Sequence, residues 1–327
     1  MFGLTIYGPV YSWRLGVSLG VDVLPTPKTC TFDCVYCQLG KTFRKISKPE
    51  DLNSSSYPGI NTILKDLERM LKKLRLEEID YITFSGSGEP TLNLRLGKII
   101  KQVKRVVGNL PVAVLTNSSL VNRKDVRENL GEADFVIAKL DASSQKVFEA
   151  INRPADNFLL EEIVDGLKIL KHSFSCRLAL QIMFVRFAKN KLNTSLEEVK
   201  GLVRLAEVIN PDEIQLNIPT RPASEKDVKP PGRGEMRKIT KIFMEKLGKP
   251  RILSRVEYTF KSKTLSLEAT KTEILKILKR RPCRLQDLVG MFKVGEKDLK
   301  LLLNQLIRQG KIVEEVFLGE KYYKSFN

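Results

Sequence analysis

Six apolar runs alternate with stretches of helical periodicity, and that alternation confines this chain to an α/β architecture built on a parallel sheet. The runs are VSLGVDVL (17–24), DYITFS (80–85), PVAVLTN (111–117), DFVIAKLD (134–141), RLALQIMFV (177–185) and DEIQLNIP (212–219). Between them lie GINTILKDLERMLKKL (59–74), LRLGKIIKQVKRVV (94–107), LLEEIVDGLKILK (159–171) and SLEEVKGLVRLAEV (195–208). Runs this apolar suit strands buried on both faces, and regular alternation with helices reads as βα units. Six units are too few to close an eight-stranded barrel, so a partial (βα)6 barrel is expected. In such folds the chemistry sits in the loops after the strands' C-terminal ends.

The pattern changes after residue 219. Residues 1–222 are expected to form the partial barrel. TRPASEKDVKPPGRGEM (220–236) and the helix RKITKIFMEKLG (237–248) fall in a basic linker that wraps it, assigned to 223–263. The tail, 264–327, reads as three helices (266–282, 284–292 and 295–310) and a hairpin turning at Leu318-Gly319. Helix, helix-turn-helix, then hairpin is the winged-helix order.

Composition sets outer limits. The chain has 327 residues, is 42% hydrophobic and carries 56 Lys and Arg against 38 Asp and Glu, a net charge of +18. Such a balance favours polyanionic partners, although a Lys/Glu-rich thermophile surface also produces it. The N-terminal MFGLTIYGPVYSWRLG lacks the features of a signal peptide, and no segment has the ~20 apolar residues of a membrane span. No membrane partner is expected. Five cysteines without a secretory signal predict a cytoplasmic location, where clustered thiols bind metal more often than they form disulfides.

Three of the five stand together as Cys30-x3-Cys34-x2-Cys37, directly after the first strand, in KTCTFDCVYCQLG (28–40). A structural zinc site needs four ligands, and the single histidine, His172, is far downstream and reads as a surface helix residue. Cys176 begins a strand and Cys283 a helix, both as packed thiols. Iron–sulfur clusters are held by thiolates, and three ligands on four irons leave one iron open to a chelating cofactor.

The loop is similar to the CxxxCxΦC signature of radical S-adenosylmethionine (SAM) enzymes, with Tyr36 at the aromatic position. The resemblance implies one [4Fe–4S] cluster held by Cys30, Cys34 and Cys37, with SAM bound at the open iron and cleaved reductively to a 5′-deoxyadenosyl radical. It also implies an external one-electron reductant of ferredoxin or flavodoxin type, and places Tyr36 near the adenine. SGSGEP (85–90) stands where the superfamily has its GGE motif, with Ser87 in place of the central glycine. The resemblance makes Gly86, Ser87, Gly88, Glu89 and Pro90 cofactor-binding: small residues for close approach, Glu89 for the amino group of SAM. Weaker matches continue in later strand ends. Thr116, Asn117 or Ser118 would meet the carboxylate or ribose, Lys139 and Asp141 share a strand face for the same groups, and Asn217 would face the adenine. Helix capping or loop packing is the competing reading for each.

Within the superfamily the first 222 residues resemble the group that includes the wyosine-base synthases of archaeal tRNA modification. The resemblance rests on YGPVYSWRLG (7–16), FSGSGEPTL (84–92), KLDASSQKVFEAINRP (139–154) and QLNIPTRPASE (215–225). No cysteine precedes Cys30, so the second cluster of those enzymes is not expected. The tail points to an RNA substrate, tRNA-like, with Lys293, Lys297, Lys300, Asn304 and Arg308 on or beside its third helix as contacts. From 264 onward 13 basic residues face 8 acidic ones, a net +5 out of +18, so barrel and tail are both basic. A peptide or protein substrate held by the winged helix is the alternative. A non-catalytic iron–sulfur protein that binds nucleic acid or senses redox state is another, and it needs the cysteine loop but neither Glu89 nor a SAM pocket. No residue commits the chain to a reaction after radical formation.

Overall fold

The computed structural model describes residues 5–53, 57–187, 190–248, 251–254 and 268–325. Its centre is one eight-stranded open sheet of β1 (Ile6–Ser12), β2 (Gly16–Val21), β3 (Tyr81–Phe84), β4 (Val112–Thr116), β5 (Phe135–Lys139), β6 (Arg177–Met183), β7 (Glu213–Asn217) and β8 (Arg251–Ser254), in that order across the sheet. β1 and β2 pair antiparallel, with a register shift between Tyr7 and Val10, and every later pairing is parallel. The six expected strands are all present. The expectation of six is corrected to eight by the two at the edges, which sequence periodicity does not reveal. β1 carries Gly8-Pro9 inside an irregular pairing, and β8 is only four residues long.

The helices are amphipathic for the reason their sequences suggest. α1 (Ile60–Leu71) buries Ile63, Leu67 and Met70, and α2 (Leu96–Val107) buries Ile99, Ile100, Val103 and Val107, spacings that fall on one helix face. α3 (Lys124–Gly131), α4 (Gln145–Asn152) and α5 (Leu160–Ser173) follow, then α6 (Leu196–Ile209), capped by the Ser195 hydroxyl accepting from the Glu198 N–H. α7 (Arg233–Leu247) packs on α6 and on β8. The 223–263 segment therefore supplies a helix and an edge strand of the sheet. Its end, and the 264 boundary of the tail, lie outside the described residues.

The tail contains α8 (Lys271–Leu278), α9 (Leu285–Val289) and α10 (Glu296–Arg308), then β9 (Ile312–Phe317) paired with β10 (Glu320–Ser325) around Leu318 and Gly319, both at positive φ. α8 packs on β1, and Leu299, Leu303 and Leu306 of α10 face the tail's own core. Cys283 is buried, with backbone hydrogen bonds in both directions to Tyr323. Cys176 is buried at the N-terminal end of β6, and His172 is an exposed residue of α5.

Candidate active site

The C-terminal ends of β2 to β7 bring the sequence-predicted residues to one edge of the sheet. Thr29 and Cys30 run between two backbone neighbours. On one side the Arg44 N–H donates to Lys28 O (2.9 Å) and the Ile46 N–H to Cys30 O (3.1 Å). On the other the Thr29 N–H donates to Ser87 O (2.9 Å) and the Glu89 N–H to Thr29 O (3.3 Å). The Asp33 and Val35 N–H groups donate to Asn152 O and Ile151 O (3.0 and 2.9 Å), which ties the loop to the end of α4. A turn closed by the Cys37 N–H on Cys34 O (3.0 Å) sets the last two thiols, and the Ser224 hydroxyl donates to Cys34 O and Val35 O. The protein's own hydrogen bonds fix this loop.

Each of the three sulfurs has a donor. The Asn117 amide reaches Cys30 Sγ (3.5 Å), the Asn152 amide Cys34 Sγ (3.4 Å) and Lys28 Nζ Cys37 Sγ (3.2 Å). Burial, with the neighbouring thiols adding to it, pushes Cys30 up to about 12 and Cys34 to about 11. A sulfur this costly to ionise in isolation is one that bound iron would hold as thiolate. Burial alone would lower Lys28, but the charges of Cys37 and Cys30 outweigh it and its pKa is raised. Among the described residues no three His, Cys, Asp or Glu side chains converge on a single-ion site. Three thiols, each backed by an N–H donor, fit an iron–sulfur cluster, whose sulfurs are tuned by such bonds.

Glu89 is 2% exposed and burial raises its pKa, opposed by its hydrogen bonds. Its Oε1 accepts from the Thr91 N–H and hydroxyl (3.1 and 2.7 Å) and from Thr116 Oγ1 (2.7 Å), and its Oε2 from the Asn117 N–H (2.6 Å). The carboxylate caps the short turn Pro90–Leu92 and knits the β3 loop to the β4 loop. The glycines beside it serve a close approach of protein to protein. A Cβ on Gly88 would lie 1.6 Å from Thr29 O, and one on Gly86 2.3 Å from the Asp22 carboxyl carbon. Ser87 is bonded through its N–H and hydroxyl to Asp22 Oδ2 (3.0 and 2.6 Å).

The remaining candidates divide. The Asp141 carboxylate is fully buried and accepts from the Met183 N–H (2.8 Å), the Asn152 amide (2.9 Å) and the Tyr36 hydroxyl, with Lys139 Nζ at 3.5 Å. Through these partners the carboxylate braces β5, β6 and Tyr36 against one another. Burial first, then the Asp141 charge, raise the Tyr36 phenol well above its usual range. Lys139 does share a face with Asp141 and sits 4.8 Å above the Tyr36 ring. Ser118, at φ 68, has a buried hydroxyl with no partner, and Asn152 a buried carbonyl oxygen with none. Ser118 follows the Cys30 donor Asn117 and Asn152 is itself the Cys34 donor, and unpartnered buried oxygens of this kind are ones a polar ligand would satisfy. A small cavity here is lined by Phe32, Asn117, Lys139, Asp141, Phe148 and Asn152. Asn217, at the end of β7, is buried, its amide oxygen accepting from the Ile218 N–H (2.9 Å).

The tail docks on this same edge. Arg280 Nε meets Asp22 Oδ2 at 2.9 Å with both side chains under 10% exposed, and its guanidinium lies 4.8 Å from the Tyr7 ring. The Gln38 amide donates to Arg280 O (3.3 Å), Arg221 Nε to Pro282 O (3.0 Å) and the Tyr322 hydroxyl to Thr220 O (2.7 Å). Lys293, Lys297, Lys300, Asn304 and Arg308 are all exposed, Lys300 within 2.7 Å of Glu296. In the hairpin Lys321 pairs with Glu314 (2.9 Å) and Lys324 with Glu315, so its cations are neutralised.

Sequence reasoning missed Asp22, Lys28, Asn152 and Arg280. Only Lys28 carried a signal, as the residue two before Cys30; Asp22 meets Ser87, Asn152 meets Cys34 and Arg280 meets Asp22 across more than 60 positions of chain.

Residues 24–186 match the profile of the radical SAM superfamily. The chain is 32% identical over 317 residues to a UPF0026 protein of Methanocaldococcus jannaschii, covering 97% of this chain and 94% of that one. It is 40% identical over 218 residues to a UPF0026 protein of Synechocystis, covering 66% of this chain and 76% of that one. In structure it is similar to a radical SAM methyltransferase from Sphaerobacter thermophilus, with TM-score 0.54 and 14% identity, over 73% of this chain and 65% of that one. That last likeness is one of fold.

Proposed function

Because the chain belongs to the radical SAM superfamily and to the UPF0026 family, we propose that it is an enzyme that modifies RNA, with its [4Fe–4S] cluster held by Cys30, Cys34 and Cys37. Cluster and SAM, when bound, supply radical hydrogen abstraction, and the electron comes from an external donor of ferredoxin or flavodoxin type. The chain's own residues hold the parts in place. Asn117, Asn152 and Lys28 direct N–H groups at the three sulfurs. The turn Gly86, Ser87, Gly88, Glu89, Pro90 lines the SAM side, where Glu89 Oε2 keeps a lone pair beyond the Asn117 N–H for an amino group. Thr116 orients Glu89, and the unpartnered Ser118 hydroxyl and the Lys139 ammonium would meet the SAM carboxylate. Tyr36 and Asn217 flank the nucleoside side.

The observation that carries the RNA reading is the docking of a basic tail against the cysteine loop through Gln38 and Arg280. We read the tail as a winged helix whose α10 turns Lys297, Asn304 and Arg308 to solvent. A tail that carries such cations and is docked on the reaction edge suits a phosphate backbone threading towards it. The likeness of the barrel's motifs to those of wyosine-base synthases points the same way.

The test is anaerobic: reconstituted full-length protein, SAM and reductant, with total tRNA or with peptide. RNA-stimulated release of 5′-deoxyadenosine, with one nucleoside changed in mass, is the expected result. Stimulation by peptide and none by RNA would transfer the reading to a peptide substrate. No 5′-deoxyadenosine above background would leave an iron–sulfur protein without catalysis.

A further inference from the structure

From Cys34 onward run sixteen residues, 34–49, without one Asp or Glu, among them Lys41, Arg44, Lys45 and Lys48. All four cations are exposed, and Phe43 between them is 76% exposed, more than any other large hydrophobic residue among those described. Phe32, eleven residues earlier, is 2% exposed and packed edge-on against Phe148 and Phe158. The chain thus has aromatic positions inside for a phenylalanine, and leaves Phe43 out.

The backbone under Phe43 is not loose. The Thr42 N–H donates to Asp33 Oδ1 (2.7 Å), the Thr42 hydroxyl to Phe32 O (2.7 Å), and Arg44 and Ile46 bond to Lys28 and Cys30. Lys45 pairs in register with Cys30 itself. An exposed ring on a braced ribbon, with cations on both sides, has the makings of a stacking platform. A base offers it a flat face, and the phosphates on either side meet the cations.

We infer that residues 41–45 form a docking surface for a single-stranded segment of RNA, which stacks a base on Phe43 and lays its phosphates along Lys41, Arg44 and Lys45. The inference rests on the RNA reading above and adds where the strand enters. The surface is continuous with the thiol loop, so a base held on Phe43 delivers its neighbours to the reaction edge.

The experiment uses cluster-reconstituted full-length protein and a fluorescein-labelled oligouridylate of roughly 12 nucleotides, followed by anisotropy across a salt series. Phe43→Ala is expected to weaken binding roughly 5- to 100-fold without changing the salt slope, and Phe43→Tyr, which keeps the ring, to restore it. The triple change Lys41→Gln, Arg44→Gln, Lys45→Gln is expected to flatten the slope of log K against log salt by roughly 2, at about 0.7 per lost phosphate contact. Removing the same charge from the exposed outer face of α7, at Lys238, Lys241 and Lys246, should leave the slope as it was. Iron–sulfur absorbance and melting temperature confirm that each variant is folded. If the unaltered protein binds the oligonucleotide and both ribbon variants bind as it does, this surface is not the dock and the RNA reading stands. If the unaltered protein binds no RNA, that reading falls and this inference with it. Binding of a polyglutamate peptide in its place, lost in the ribbon variants, would assign the surface to an acidic protein segment.

Discussion

The thiol loop and the tail lie against each other and treat charge in opposite ways. Around the loop, Lys28, Glu89, Asp22 and Asp141 are all buried, each facing named donors or acceptors. On α10, Lys297, Asn304 and Arg308 are solvated. Buried polar networks lock geometry because any loss of a partner leaves a group stranded at low dielectric. Solvated cations keep their freedom and read a polyanion through its charge. The contrast separates a region built to position from one built to attract, and Arg280 is the residue of the second that joins the first.

That division can be broken experimentally, most severely at the thiols. Cys34→Ala should abolish both iron–sulfur absorbance and 5′-deoxyadenosine release, while circular dichroism stays native because backbone hydrogen bonds hold the loop. Retention of the cluster would remove Cys34 from its proposed role. Next comes Arg280→Ala, which strands Asp22 without its cation in a buried setting and should cost roughly 3–5 kcal/mol in denaturant unfolding. Arg308→Ala, on the exposed face, should stay within about 0.5 kcal/mol. Equal losses at the two would erase the distinction between the regions.

Asn152→Ala should cost roughly 1–3 kcal/mol, since it takes a donor from Asp141 and from Cys34. A shift of the cluster's reduction potential in the same variant would tie the amide to the sulfur as well as to the fold. The smallest effect is one of pH. Hydrogen bonds from Arg123 hold the Glu50 and Asp125 carboxylates below their usual range. Depressed values of this kind add stability above pH about 4–5, which is lost as pH falls through the folded-state values. The group is partly solvated, so a few tenths of a kcal/mol are at stake, and Arg123→Ala should remove that part of the acid dependence in a melting series.

What could be read in the sequence follows the range of the interaction. β3 to β7 announce themselves because burial on both faces forces continuous apolar runs, and the thiol triplet because its ligands are local. β1 stays hidden, since Tyr7, Gly8 and Pro9 break the alternation a strand shows. Lys139 and Asp141 are placed correctly on one face by strand periodicity, yet nothing in that periodicity tells that Met183, Asn152 and Tyr36 occupy Asp141. Glu89 is similar. Its position in SGSGEP marks it for a ligand, whereas Thr91, Thr116 and Asn117 claim most of its lone pairs in the folded chain. Polar partners separated by many residues leave no periodic trace.

Order of synthesis gives the Asp22–Arg280 contact a temporal meaning. In a chain made from its N-terminus, the residues of β1 to β7 are all synthesised before residue 280. Until then the Asp22 carboxylate that holds Ser87 has no Arg280 to pair with. The reaction edge thus takes one of its supports from a residue 258 positions further along the chain, and is complete only once that residue has been made.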